Sequence, residues 1–336
     1  QGAEVVVADN ASTDGSMKVM AEMFPDVKTL RFDSNLGFTG GYNKAFQLLD
    51  EAEKPEYFVL INSDIEVTED WLKPLVSWMD AHPECGACAP KLHSFQERDK
   101  FEYAGAAGGY IDRFGYPFCR GRVLKRLDTD HGQYDSPEDV MWATGACLMV
   151  RSSVYRELGG LDERFFLCWR MQLTGRKVTI VPDSLVYHVG GGTLPAESPF
   201  KLQLNYRNNM LMLENNLAKT FALMFYRRGY TLEKAAAKGL KKAERRIRHR
   251  KMLDNASAAA YLQMFKMSSF KAVRKAYKEY RTLSRKPGKD EIIEYLNRYG
   301  MHASVKGLYS KSIIIQSALK GKRIFQSIKP EGFYNI

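Results

Sequence analysis

Five consecutive apolar residues, Tyr57-Phe58-Val59-Leu60-Ile61, run into Asn62-Ser63-Asp64 and then an acidic segment from Glu66 to Asp70. A short continuous apolar run reads as a strand buried on both faces. From Gln1 to about Leu92 such runs alternate with helical patterns, which is the signature of a nucleotide-binding parallel sheet. A carboxylate at the C-terminal end of a strand lies where open parallel sheets hold ligands. Asp64 is therefore placed to hold Mg2+ or Mn2+ against a diphosphate, since one or two carboxylates plus phosphate oxygens form the usual shell of such ions. The plainer alternative is a strand-ending turn, because Asn, Ser and Asp are all turn formers.

A second strand-to-acid junction lies near the start of the chain. Val5-Val6-Val7-Ala8 leads into Asp9-Asn10 and then Ser12-Thr13-Asp14, whose side chains offer capping oxygens to a helix beginning around Ser16. A third segment, Asn35-Leu36-Gly37-Phe38-Thr39-Gly40-Gly41-Tyr42-Asn43-Lys44, is a glycine-rich turn opening a helix. Glycine lets backbone approach a ligand closely, and the free N–H groups of a helix start favour an anion. The spacing matches neither the dinucleotide G-x-G-x-x-G nor the Walker loop.

Six segments in order carry a family likeness: DNASTDGS from Asp9, NLGFTGGYN from Asn35, NSD from Asn62, ATGACLMVR from Ala143, GGLDERFF from Gly159 and VYHVGGGT from Val186. Together they resemble the family 2 inverting glycosyltransferases, closest to the rhamnosyltransferase-like bacterial branch that builds surface polysaccharides. The resemblance implies a GT-A (Rossmann-like) α/β fold with a mostly parallel sheet, a nucleotide-sugar donor, a divalent metal, and a glycan or lipid-linked acceptor. It implies that Asp9, Asn10, Asn35, Gly37, Asn43, Asn62 and Asp64 line the donor site. Trp142, Thr144, Gly145, Asp162 and Glu163 fall on the acceptor side. Asp64 takes the place of the metal-binding acid and His188 that of a further metal ligand. A single histidine is otherwise most often a core or loop residue.

Displacement at an anomeric carbon needs the departing diphosphate neutralised by a metal and the acceptor hydroxyl deprotonated from the opposite face. In the family the base belongs to an acidic pair ahead of an LCWR-like helix. Here Phe165-Phe166 runs directly into Leu167-Cys168-Trp169-Arg170, so no catalytic base is assigned. The family also begins with a strand and helix ahead of the strand ending at Asp9, and the expectation is that this unit and the acidic loop are omitted from the sequence. Two other functions stay open at this point: a catalytically impaired protein that binds nucleotide-sugar or glycan, and a nucleotidylyltransferase.

Charge divides the chain. From Ala218 onward there are 28 Lys/Arg and 8 Asp/Glu, a balance of +20, against 22 and 31 before it, a balance of −9. The expected organisation is a glycosyltransferase domain over 1–216, with a nucleotide half 1–92 and an acceptor half 93–216, followed by a basic helical membrane-associating region over 217–336. The run Lys238 to Lys251 is the densest in basic residues, and beside Phe221, Leu223, Met224, Phe225 and Tyr226 it reads as a surface for anionic lipid. A solvated helical face is the plainer alternative. No stretch reaches the roughly 18 to 20 apolar residues of a membrane span. No nucleic-acid motif accompanies the basic residues, and no nucleic-acid partner is expected. Five cysteines, an odd number, argue against a disulfide framework and fit a reducing compartment. The location expected is cytoplasmic, on the inner face of the cytoplasmic membrane. Aromatic loops from Glu102 to Tyr110 and Phe114 to Phe118 read equally as sugar platforms or core.

Overall fold

The computed structural model describes residues 2–103, 105–162, 167–190 and 198–336. It opens with β1 (Val6–Asp9), α1 (Ser16–Met23) and β2 (Lys28–Arg31), in which the two strands pair in parallel across the helical crossover. The glycine-rich turn then starts α2 (Gly37–Glu53), with Gly37 at φ +69, a conformation glycine adopts without penalty. One face of α2 buries Ala45 and Phe46, and the Phe46 ring stacks on Phe58 at 4.2 Å between centroids.

Next come β3 (Tyr57–Ile61), β4 (Ile65–Val67), α3 (Leu72–Ala81) and β5 (Cys85–Ser94). An antiparallel meander follows, made of β6 (Gly109–Ile111), β7 (Pro117–Cys119), β8 (Arg122–Val123) and β9 (Arg126–Leu127). After β10 (Glu138–Asp139), β11 (Cys147–Arg151), α4 (Ser152–Glu157) and α5 (Leu167–Leu173), the long β12 (Lys177–His188) completes the main sheet. Its order is β10-β12-β5-β11-β3, with β4 beside β12.

The α/β class is the one expected, but the strand directions correct the expectation of a mostly parallel sheet. Within the main sheet only β5 and β12 pair in parallel. The physical cause is β11, which enters between β3 and β5 antiparallel to both. β3 and β5 run the same way, as a helical crossover through α3 requires, yet a strand arriving from the meander side separates them. β3 itself shows two covered faces. Phe58 and Leu60 join the main core, while Tyr57 and Val59 pack partly buried against Leu72, Leu75 and Met79. Each fully buried side chain of this kind contributes about 2 kcal/mol.

The helical region comprises α6 (Pro199–Tyr226), α7 (Leu232–Gln263), α8 (Met267–Leu283) and α9 (Lys289–Tyr299). The boundary expected at 216/217 falls inside α6, and one hydrophobic cluster runs from Phe46 to Ile336. α6 and α7 cross closely at Gly239, where a Cβ would stand 2.6 Å from the Ala222 backbone nitrogen. That crossing corrects the placement of the apolar lipid face: Phe221, Leu223 and Met224 are buried. Phe221 and Met224 lie beside α7, with the Lys242 ammonium over the Phe221 ring and 3.6 Å from Met224 Sδ, and packing within the helical region removes their apolar area from water.

The basic run is likewise not a uniform solvated face. Arg246 and Arg250 are buried, and Arg250 Nε meets Asp254 Oδ1 at 2.8 Å while Tyr277 donates to Asp254 Oδ2 at 2.7 Å. The Arg250 guanidinium lies 3.9 Å over the Tyr116 ring and donates to the Phe114 carbonyl at 3.2 Å, tying α7 to the meander. α7 closes in a Schellman turn, with Phe265 N–H bonded to the Leu262 carbonyl and Lys266 N–H to that of Tyr261. The C-terminal segment returns to the sheet side: Tyr309 N–H donates to the Ile111 carbonyl at 2.7 Å and Val305 N–H to that of Ile336 at 2.9 Å.

All five cysteines are buried and unpaired, as expected of structural thiols. Burial pushes the Cys147 thiol up to about 12 and that of Cys168 to about 11, which keeps both protonated. Among the described residues no helix is long and apolar enough to cross a membrane.

Candidate functional site

Asp64 and His188 lie 124 positions apart in the chain and meet through strand register. β4 leaves the Asn62–Asp64 turn and pairs antiparallel with β12, setting Ile65 opposite His188. The Val189 N–H then donates to the Asp64 carbonyl at 3.0 Å. This brings His188 Nε2 to 3.3 Å from Asp64 Oδ1, with the two side chains 9% and 24% exposed. On the other side of the ring, Glu102 Oε1 stands 3.3 Å from Nδ1, an electrostatic pairing rather than an aligned hydrogen bond. Glu102 and then Asp64 hold the imidazole above its usual pKa, against the opposing effect of burial.

The turn carrying Asp64 is fixed from two directions. Asn62 N–H donates to the Ala146 carbonyl at 2.9 Å, and Tyr42 on α2 donates its hydroxyl to the Ile61 carbonyl at 2.9 Å. Thr144 accepts from the Ala146 N–H at 3.2 Å, and a Cβ on Gly145 would approach Phe38 of α2 to 2.9 Å. The segments of Asn62–Asp64, the glycine-rich turn and Thr144–Ala146 thus adjoin, as one crevice requires.

At the β1 tip, Asp9 Oδ1 accepts from Ser12 N–H at 3.0 Å and Oδ2 lies 3.5 Å from Arg31 Nε. The bonds from Ser12, followed by Arg31, hold the Asp9 carboxyl below its usual pKa. Asn10 donates to Asn35 Oδ1 at 3.1 Å and to the Gly37 carbonyl at 3.0 Å, and accepts from Leu36 N–H at 2.8 Å. Asn43 is a clamp between α2 and the Gly159–Asp162 segment: it donates to the Leu161 carbonyl at 2.8 Å and accepts from the Leu161 N–H and the Tyr155 hydroxyl. Asn10 and Asn35 therefore shape the turn around Gly37 with their own side-chain bonds, whereas Asn43 ties α2 to the Gly159–Asp162 segment.

On the acceptor side, Trp142 is buried, donating its indole N–H to the Tyr110 carbonyl at 3.0 Å. Asp162 is partly buried and has a partner. Glu163 and the Phe165-Phe166 end of the junction with Leu167 lie outside the described residues. Of the aromatic loops, Phe118 is core while Tyr103 is exposed with the Arg122 guanidinium 4.7 Å over its ring. Glu102 was not among the residues expected at the site. The available signal was a lone acid in the apolar, glycine-rich Phe101–Tyr110 stretch, since an acid buried there needs a charged partner.

Among the described residues no group of three or more His, Cys, Asp and Glu side chains is arranged to hold a metal. Asp64 and His188 supply one hard oxygen and one imidazole nitrogen side by side, which fits a divalent ion completed by ligand phosphates and water.

Residues 1–159 match the model of Glycosyl transferase family 2. The chain is 27% identical over 205 residues to the N-acetylglucosaminyl-diphospho-decaprenol L-rhamnosyltransferase of Mycobacterium tuberculosis, covering 55% of this chain and 66% of that protein. It is 30% identical over 193 residues to the O-antigen biosynthesis protein RfbC of Myxococcus xanthus, covering 55% of this chain and 15% of that protein. Among solved structures, GalNAc-T7 with UDP, GalNAc and Mn2+ aligns at a TM-score of 0.47 and 16% identity, over 71% of this chain and 48% of the other. The match to Glycosyl transferase family 2 thus takes in the first four of the six ordered motifs, from Asp9 to Arg151, and the similarity it shows is that of residues 1–159.

Proposed function

We propose that the protein moves a sugar, with inversion, from a nucleotide-diphosphate donor to a glycan or lipid-linked glycan acceptor in bacterial surface polysaccharide synthesis, at the inner face of the cytoplasmic membrane. The observation that carries this reading is the Asp64–His188 pair beside the glycine-rich crevice, with Asp64 inside the stretch, residues 1–159, that matches Glycosyl transferase family 2. The rhamnosyltransferase name of the mycobacterial relative supports a lipid-diphosphate acceptor and a deoxyhexose donor.

In this reading Asp64 and His188 hold Mg2+ or Mn2+, which when bound neutralises the charge developing on the departing diphosphate. The N–H groups opening α2 face the same anion, and Asp9 and Asn10 fix the β1 tip against the nucleoside. Thr144 and Gly145 form the adjoining wall on which the acceptor rests, with Asp162 bonding a sugar hydroxyl. The general base is not assigned to any described residue.

Calorimetric titration of UDP, dTDP and GDP with and without Mn2+ tests the proposal. Metal-dependent binding of one nucleotide is expected and names the donor class. A folded protein that binds none of the three overturns it.

A further inference from the structure

The turn between α7 and α8 carries the largest departure from what a folded surface needs. Phe265 is 93% exposed, and Leu262, Met264 and Met267 around it are exposed as well. Phe265 also has φ +56, at the position of the Schellman turn that glycine usually fills. An aromatic ring there packs against nothing and sits in a conformation its Cβ disfavours, so it adds nothing to the stability of the fold. Around this apolar tip the charge has one sign. From Asn255 to Lys278 the chain has Lys266, Lys271, Arg274, Lys275 and Lys278 and no Asp or Glu, and all five are exposed. The opposite face of α8 buries Ala272, Val273, Ala276 and Tyr280 against the helical region, so the tip projects from an anchored base.

We propose that this α7–α8 turn is the membrane contact, inserting Met264, Phe265 and Met267 into the headgroup–acyl boundary of an anionic bilayer while the five cations meet lipid phosphates. An apolar tip followed along α8 by exposed cations of one sign is complementary to such a surface. The inference deepens the membrane-face location proposed above and rests on that reading. It places the contact about 40 residues beyond Phe221–Tyr226, the segment first expected to make it.

Co-sedimentation with vesicles of equal parts phosphatidylcholine and phosphatidylglycerol, and with phosphatidylcholine alone, tests it on the full chain. The unaltered protein is expected to pellet with the mixed vesicles at low salt and far less with the neutral ones. F265G is expected to weaken that binding about tenfold or more, while its thermal midpoint stays equal or rises because glycine suits φ +56. The charge variant K271Q/R274Q/K275Q is expected to flatten the salt dependence. If the unaltered protein ignores anionic vesicles, both the membrane location and this assignment fail. If it binds them and F265G binds equally well, only the assignment to this turn fails. Vesicle-free self-association lost in F265G also overturns the assignment, because the patch then belongs to a second copy of the chain.

Discussion

Asp64 and Asp254 are both carboxylates beside a cationic or protonatable partner, and they illustrate how the two halves of the molecule use charge. In the helical region Asp254 is fully buried, held by Arg250 at 2.8 Å and the Tyr277 hydroxyl at 2.7 Å, with little acceptor capacity left. In the sheet-bearing half Asp64 keeps 24% side-chain exposure and, among the described residues, a loose approach from His188 at 3.3 Å. A satisfied ion pair closes a structure, because breaking it strands a charge away from water. An underused carboxylate at a strand tip leaves oxygen lone pairs for a ligand.

Asp254→Ala is expected to cost about 3–5 kcal/mol, read as a lowered denaturation midpoint, while the folded fraction keeps its nucleotide affinity. If the loss in stability is negligible, the buried pair is not a structural clasp. Asp64→Ala reverses the pattern, leaving the melting temperature nearly unchanged and reducing Mn2+-supported nucleotide binding by about 100-fold. Unchanged affinity in the presence of Mn2+ would remove Asp64 from the site.

A smaller effect sharpens the contrast within the site. Glu102→Gln keeps the shape beside His188 but removes the charge that steadies the ring, and is expected to weaken Mn2+ affinity about tenfold. Mn2+ titration followed by electron paramagnetic resonance reads this without any turnover. An affinity equal to that of the unaltered protein makes Glu102 a packing residue only.

The smallest effect concerns Lys242, whose ammonium lies 4.5 Å over the Phe221 ring and 5.1 Å over that of Tyr334. Burial, followed by the neighbouring Arg246, Arg228 and Arg245, lowers its pKa to about 8. The folded chain therefore binds fewer protons at Lys242 than the unfolded chain does between about 8 and about 10.4. Stability from this group rises with pH across that window, and the penalty is fully present below it. Lys242→Met is expected to remove that rise, so the difference in denaturation midpoint between variant and parent shrinks from pH 8 upward. A constant difference across the window shows that the lysine is fully solvated.

Much of the donor crevice was legible in the sequence because its signals are local. An apolar run ending in Asn62-Ser63-Asp64 announces a strand and a tip, and Gly37 before an amphipathic pattern announces a helix start; both elements form at those residues. The buried thiols followed from their apolar neighbours. The part not legible is the geometry between elements. His188 is legible only through its family likeness, and Glu102 reads as loop, because neither period nor composition says which strands become neighbours.

The sequence by itself determined the α/β class, the order of strands and helices in the first half, the acidic tips and the family likeness of residues 1–159. Each of these rests on interactions within a few residues: hydrophobic period, capping and turn chemistry. Tertiary structure alone decided that β11 enters between β3 and β5, that β4 and β12 bring Asp64 to His188, and that Phe221 turns inward while Phe265 stays outside. Those outcomes depend on which apolar faces bury each other at least cost across hundreds of positions, and an exposed Phe265 and a buried Phe221 look alike until that packing is complete.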